Sequence, residues 1–427
     1  MKKSLFAVAA VTAFAGAAQA QSSVTVYGLL DVGYIGGNTR VSNNQISTGS
    51  TKNTTNSFGQ SAESTSRLGF KGVEDLGNGT SAFFTAEFAL YPQDTNTSGN
   101  ANGGLLNRQT FVGLKKNGIG QAALGLQQTG VFNAVAVTDP GQMNNVTGNV
   151  IYSSHAGSSA GASDGGANGI GFTNRIANTL SAKTDTFGGF SANALWTLNN
   201  RNTTEAIPAA GATTGGSTNA SGWGLGADYT LQKFYINAQY QAFKQLTSAT
   251  QSTAANITPW TNPQANGATY APQTGLNSAY AAGSAATGTG QNVQDNQMYA
   301  GATYDFGILK AYAQYLNRKV TATANSNYYL KRQAEQIGVR SFITPTVEAW
   351  ASAGLGRYTA FGPANSAVNF NAWQLGTNYY LSKRTNLYAI YGQTLSSTGS
   401  YVALTGTTVG GNSSGASNYA IGVRHTF

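Results

Sequence analysis

Apolar and polar residues alternate along this chain with a period of two. Near the C-terminus, Tyr419, Ile421, Val423 and Phe427 fall on one face, and Ala420, Gly422, Arg424 and Thr426 on the other. In 234–242, Phe234, Ile236, Ala238 and Tyr240 alternate with Tyr235, Asn237, Gln239 and Gln241. The stretches 297–304 and 372–381 follow the same rule, with Met298, Ala300, Ala302 and Tyr304 on one apolar face and Trp373, Leu375 and Tyr379 on another. Such alternation predicts strands with one apolar and one polar face. About sixteen segments of this kind have roughly the ten residues that a tilted strand needs to cross a bilayer. They run from 24–35 through 64–73, 104–115, 119–128, 174–184, 308–320 and 329–343 to 417–427. An even number lets the first and last strands pair antiparallel and leaves no open edge.

The connections alternate between short and long. Lys115 to Gly120, Asp185 to Gly189, Asp305 to Gly307 and Thr344-Pro345 are short and carry turn residues. The stretches 36–63, 129–173, 201–220, 245–293 and 397–416 are long and rich in Ser, Thr, Asn, Ala and Gly. Aromatics gather beside the short turns, among them Phe187, Phe190, Tyr229, Tyr304, Phe306 and Phe342. Rings of this kind settle at a membrane–water boundary. The pattern predicts an all-β fold, a 16-stranded antiparallel transmembrane β-barrel with short turns on one side and long loops on the other. No repeated register suggests a solenoid, and no linker divides the chain, so residues 21–427 form one domain.

Composition narrows the class further. Charged residues make up 9% of the chain, against about 25% in an ordinary soluble domain. There is no cysteine, so disulfides do not stabilise it. No apolar run is long enough for a transmembrane helix. At the N-terminus, Lys2 and Lys3 precede an apolar segment, and Ala18-Gln19-Ala20 is a small-x-small cleavage site, so residues 1–20 read as a secretory signal peptide. Removing Lys2 and Lys3 lowers the formal charge from +9 to +7. The remaining basic residues are scattered rather than gathered in a stripe, which argues against nucleic acid as a partner. Two histidines, His155 and His425, offer little for an enzyme needing His beside Asp or Ser. No metal or cofactor is implied.

The alternation also assigns directions to charges. Leu68 and Phe70 face out, so Arg67 and Lys71 point into the lumen. The same phase groups Arg108 with Thr110, opposite Phe111. It sets Arg175 at the head of a strand whose Ile176, Leu180 and Ala182 face lipid, and Arg340 opposite Ile337 and Val339. Pointing outward, each arginine would cost roughly 2–4 kcal/mol at the bilayer midplane. Asp31 and Glu87 are further candidates for the lumen.

Several segments resemble the general, trimeric, sixteen-stranded porins of Gram-negative bacteria, in the form common in β-proteobacteria. These are Ser22 to Asp31, the run Ser64-Thr65-Ser66-Arg67-Leu68-Gly69-Phe70-Lys71-Gly72-Val73-Glu74-Asp75-Leu76-Gly77, Asn107 to Leu114, Leu381 to Tyr388 and Gly422 to Phe427. The resemblance implies a homotrimer in the outer membrane, in contact with its lipid and lipopolysaccharide, passing small hydrophilic solutes and ions by passive diffusion. It implies that the third external loop, 128–174, folds into the barrel. It carries a basic constriction cluster onto Arg67, Arg108 and Arg175, with Lys71 as a neighbour. Leu126 departs from the pattern, standing where the family commonly has arginine. The final Phe427 resembles the signal read by the barrel-assembly machinery. The loop offers Asp139 and Asp164 as acids to oppose the arginines, a thin set that points to weak anion preference. Two alternatives stay open. The charges can pair within the wall and leave selectivity unaffected, or inward Tyr235, Tyr299 and Tyr380 can line a solute-specific path.

Overall fold

The computed structural model describes residues 23–43, 50–97, 104–152, 175–204, 216–248, 293–322, 329–360, 367–397, 400–402, 408–410 and 412–427. Residues 1–20, expected to be a signal peptide, and the loop residues His155 and Asp164 lie outside them. The barrel strands are β1 (Ser23–Asn43), β2 (Ser50–Gln60), β3 (Arg67–Gly77), β4 (Thr80–Ala89), β5 (Asn107–Lys116), β6 (Gly120–Gln128), β7 (Arg175–Thr184) and β8 (Phe190–Thr204). They continue with β9 (Gly216–Leu231), β10 (Phe234–Ser248), β11 (Val293–Asp305), β12 (Lys310–Ala322), β13 (Tyr329–Thr344), β14 (Val347–Ala360), β15 (Ala367–Tyr380) and β16 (Thr385–Ser396). A small hairpin, β17 (Ser400–Val402) and β18 (Thr408–Gly410), precedes the closing strand β19 (Asn412–Thr426).

Every barrel strand pairs antiparallel with its neighbours, and β1 meets β19 from Leu29↔Thr426 to Asn43↔Asn412. The opposite edge of β1 is shared. Residues 23–29 pair with β3, and residues 32–42 pair with β2. β2 and β3 are therefore two halves of one wall position, and the closed wall is sixteen strands around. Between them, Ser61 to Ser66 leaves the wall and is largely buried. The stretch 36–63 is thus not a loop throughout. β1 runs on to Asn43 and β2 fills 50–60, a hairpin polar on both faces whose period-two signal the sequence does not carry.

Outward residues meet lipid. Ile337, Leu375 and Ile421 are among the exposed apolar side chains, and Phe187, Phe190, Tyr229, Phe306 and Phe342 are exposed beside the short turns. In the turn before β8, Gly188 and Gly189 have φ of 57° and 86°, a left-handed pair that residues with a Cβ resist.

Two strands break the simple phase. In β5, Glu87 faces Gln109 but Phe88 faces Asn107, so Arg108 is an extra, bulged residue. Val112 and Leu114 take the outward face, while Phe111 lines a lumenal cavity with Asn133. Thr110 is exposed on the outward phase of Val112 and Leu114, and the buried Arg108 does not follow it. Arg108 reaches the interior through the bulge, a device that re-aims a side chain. In β7, the register shifts between Thr179 and Ile176, next to Asn178 at φ 54°. Leu180 is exposed as expected, but Ile176 is 2% exposed and turned away from lipid.

Candidate functional site

The interior is built around the chain that follows β6. Thr129 caps helix α1 (Gly130–Thr138), its Oγ1 accepting from the Phe132 N–H at 3.1 Å. Val131, Phe132, Ala134, Val135 and Thr138 are buried, the spacing of one helix face. That face packs on the inner wall at β10 and β11, where the Thr138 and Tyr299 hydroxyls lie 2.5 Å apart. Farther on, Val150, Ile151 and Tyr152 join Leu316, Ala334, Tyr358 and Phe370 in an apolar cluster. The hydrophobic core thus sits inside the barrel, between loop and wall.

Polar groups fasten the rest of the loop. Three inward residues of β13, four apart, grip its backbone. Arg332 donates to the Val150 carbonyl, Gln336 accepts from the Val150 N–H at 3.1 Å, and Arg340 donates to the Pro140 carbonyl at 2.7 Å. On β15, Gln374 donates to the carbonyls of Val146 at 2.7 Å and Thr147 at 2.9 Å. Glycines make room for this approach. A Cβ at Gly338 would collide with the Pro140 ring, one at Gly354 with the Val150 side chain, and one at Gly392 with the Thr147 carbonyl.

Asp139 is enclosed at the heart of this arrangement. It accepts from the Met143 N–H at 2.6 Å, from Asn149 at 2.8 Å and from Gln336 at 3.1 Å. Burial pushes its carboxyl above the usual carboxylate range, against the pull of these bonds and of Arg340. The acid expected to oppose the basic cluster is engaged in shaping the loop.

The loop is also tied to the Ser61–Ser66 excursion. Asn145 donates from its backbone to Ala62 at 2.9 Å, and from its side chain to the Ser61 carbonyl at 2.7 Å and Thr65 at 3.2 Å. Asp31 holds the excursion by accepting from the Glu63 and Ser64 N–H groups at 2.8 and 2.7 Å, and from the Tyr388 hydroxyl at 2.6 Å. Glu63 in turn accepts from Asn386 at 3.0 Å and pairs with Arg424 at 3.4 Å.

On the β3–β7 wall, Arg67, Arg108 and Arg175 come within electrostatic reach of one another. Glu87 bonds Arg108 at 2.7 Å and accepts from the Tyr27 hydroxyl at 3.1 Å. Arg67 donates to the Thr65 carbonyl at 2.9 Å and to Ser64 at 2.7 Å. Arg175 lies over the Phe132 ring at 4.9 Å. The loop residue Tyr152 feels all three guanidinium groups, although burial still pushes its hydroxyl up. Lys71 lies nearer the short turns, exposed, with its ammonium 5.5 Å from the Tyr27 ring. Leu126 is half-buried on β6 and brings no charge.

The β11–β14 wall holds charges that the sequence reading did not single out, apart from Arg340. Arg318 pairs with Asp295 through two bonds of 3.0 and 2.8 Å. Arg340 pairs with Glu348 at 2.5 and 2.6 Å. Arg318 and Arg332 share the phase that points Arg340 inward, so alternation alone could have found them. Tyr235 donates to Asp228 at 2.6 Å and Tyr380 to Glu348 at 2.8 Å, which ties these hydroxyls to the wall.

Comparison with known proteins agrees with this architecture. A porin of Delftia acidovorans, outer membrane porin protein 32, is 36% identical over 194 residues, covering 45% of this chain and 48% of that protein. An outer membrane porin protein of Bordetella pertussis is 37% identical over 135 residues, covering 30% of this chain and 34% of that protein. The matched stretch thus spans half or less of these relatives. Among solved structures, an anion-selective porin from Comamonas acidovorans superposes with a TM-score of 0.58 at 20% identity, covering 95% of this chain and 100% of that one. A trimeric form of OmpT from Vibrio cholerae superposes with a TM-score of 0.55 at 12% identity, covering 95% and 99%. Residues 7–400 match the Gram-negative porin family, and with a closed sixteen-stranded wall and a loop folded inside it, this chain belongs to that family.

Proposed function

We propose that this chain forms a water-filled channel in the outer membrane, passing small hydrophilic solutes and ions by passive diffusion with a weak preference for anions. The observation that carries the preference is the gathering of Arg67, Arg108 and Arg175 on one wall, around the Glu87 carboxylate that bonds Arg108. Inward arginines in a low-dielectric wall attract anions. Asp139, buried at 2% exposure, adds little field at the opening because the loop holds it away from water.

Association into a homotrimer, export by the signal segment 1–20, recognition of Phe427 by the assembly machinery and contact with lipopolysaccharide belong to the same reading. They draw on the family resemblance and on the trimeric OmpT form. Single-channel recording in a planar bilayer under a KCl gradient tests it. The expected result is stable conductance in groups of three steps, with a reversal potential of chloride sign. Cation preference would keep the channel and remove the role given to the arginines. Silence from a correctly inserted barrel would remove the channel.

A further inference from the structure

Between helix α1 and the inner wall of β5–β10 lies a cavity of about 320 Å³, within the size range of small-molecule sites. The helix contributes Gly130, Asn133, Ala134 and Val137, the spacing of one face. The strand register lays out the wall opposite. Gln121, Lys183, Asn193, Gly226 and Gln239 form one inward row across β6–β10. Asp228 stands two residues along β9 from Gly226, nearer the short turn that ends that strand. A Cβ at Gly226 would overlap the Gln239 carboxamide, and one at Gly130 would crowd the same group. Gln239 therefore lies between the wall and the first turn of the helix.

Three groups in this cavity lack a counterpart within the chain. Lys183 is its single cation and Asp228 its single carboxylate, and among the described residues neither forms an ion pair. Asp228 accepts from the Tyr235 hydroxyl at 2.6 Å through one oxygen. Among the described residues its other oxygen meets only the Ser191 hydroxyl, at 3.5 Å. Gln239 is 5% exposed, yet among the described residues its carboxamide makes no hydrogen bond, and a buried polar group in that state calls for a partner. Strands β7 and β9 are two spacings apart, about 10 Å, and two residues along a strand add about 7 Å. The two charges flank the space over Asn193 and Gln239 and leave room for one small molecule between them.

We propose that this cavity binds a zwitterionic α-amino acid with a neutral side chain. Its carboxylate meets the Lys183 ammonium, its ammonium meets the open edge of the Asp228 carboxylate, and the Gln239 carboxamide bonds the polar groups between them. Phe111, whose ring turns inward, and Val137 offer the ligand's carbon atoms an apolar contact. A neutral polyol would use the carboxamides but leave both charges unmatched, and a simple anion would meet Lys183 and be repelled by Asp228. The proposal rests on the channel reading above and narrows its solutes. It explains why one cation, one carboxylate and an unbonded buried carboxamide line the same small space.

The probe is L-glutamine, added to the full-length protein in a planar bilayer, with the concentration dependence of open-channel current noise as the readout. Saturation-transfer NMR on the protein in detergent reads the same binding without current. Two truncated probes each lack one charge: glutaramate has no ammonium, and 4-aminobutyramide has no carboxylate. Asp228→Asn is expected to weaken glutamine binding about tenfold, the worth of one charged hydrogen bond, and not to weaken glutaramate. Lys183→Gln is expected to weaken glutamine as much and not to weaken 4-aminobutyramide. Glutamine affinity that neither variant changes overturns the proposal. So does an equal loss of glutaramate in Asp228→Asn, because the effect would then lie in the shape of the pore and not in an ammonium contact. Glucose that binds as tightly as glutamine overturns it in favour of a polyol site. A channel that conducts but binds no glutamine by either readout sinks this inference and leaves the channel standing. A protein that binds glutamine with both variant effects but never conducts supports the site and sinks the channel reading.

Discussion

The two sides of the lumen use the same side chain for different work. On β11–β14, Arg318 and Arg340 each meet a carboxylate through two bonds, and Arg332 and Arg340 also hold carbonyls of the inner loop. On β3–β7, Arg67, Arg108 and Arg175 gather around the carboxylate of Glu87, which bonds Arg108. A guanidinium with its own bidentate acid presents almost no net field, whereas three gathered around one acid, as among the described residues here, present a positive one. What decides whether an inward arginine is structural or electrostatic is the set of acids and loop carbonyls in its reach, not its direction.

Breaking the fastening side should produce the largest effect. Arg340→Met leaves Glu348 buried without its cation, a loss of about 3–5 kcal/mol. A lower unfolding midpoint and a larger, noisier conductance are the expected readings. An unchanged midpoint would show that the loop is held elsewhere. Replacing Arg67, Arg108 and Arg175 together by Gln is expected to lower the chloride-to-potassium permeability ratio by on the order of fivefold, whereas removing the neutral pair in the double variant Arg318→Gln/Asp295→Asn should barely move it. Equal shifts from both would erase the contrast between the walls. Glu87→Gln sharpens the contrast, raising anion preference by about twofold at low salt and less at high salt, where screening is strong.

A pH effect separates the loop from the wall. The folded loop holds the Asp139 carboxyl above its ordinary range, so it binds a proton more tightly than an opened loop does. This group's contribution to loop docking is complete below the free carboxylate's pKa and is lost as pH rises through the raised value. Protease sensitivity of the loop should therefore increase with pH across that window, and Asp139→Asn should flatten the trend. The smallest effect belongs to Lys71→Gln. Lys71 is exposed near the short turns, so its field is screened and the reversal potential should shift by only a few millivolts.

Much of this was legible in the sequence. Alternation places the strands and points Arg67 and Arg340 inward, because a two-residue period translates directly into two faces. Four things were not legible, each for a physical reason. The bulge at Arg108 is one extra residue, which a strict period cannot register. Helix α1 is nine residues long, too short beside the strands to stand out, although Thr129 before Val131, Phe132 and Val135 is a cap followed by an apolar face. The hairpin of β1 and β2 is polar on both sides, so pairing rather than burial defines it. The pairing of Arg318 with Asp295 depends on two neighbouring strands at once, and a reading made one strand at a time does not find it.

The excursion Ser61–Ser66 has a consequence for the order of assembly. Its anchors are Asp31 near the start of the chain, Tyr388 and Asn386 on β16, and Arg424 on the last strand. These residues come together only when β1 meets β19 at the seam. Because the excursion in turn holds Asn145, the inner loop has no finished mooring on that side until the seam is shut. The docking of the inner loop is therefore completed last, and a cylinder still open along its first and last strands has a wall but no finished interior.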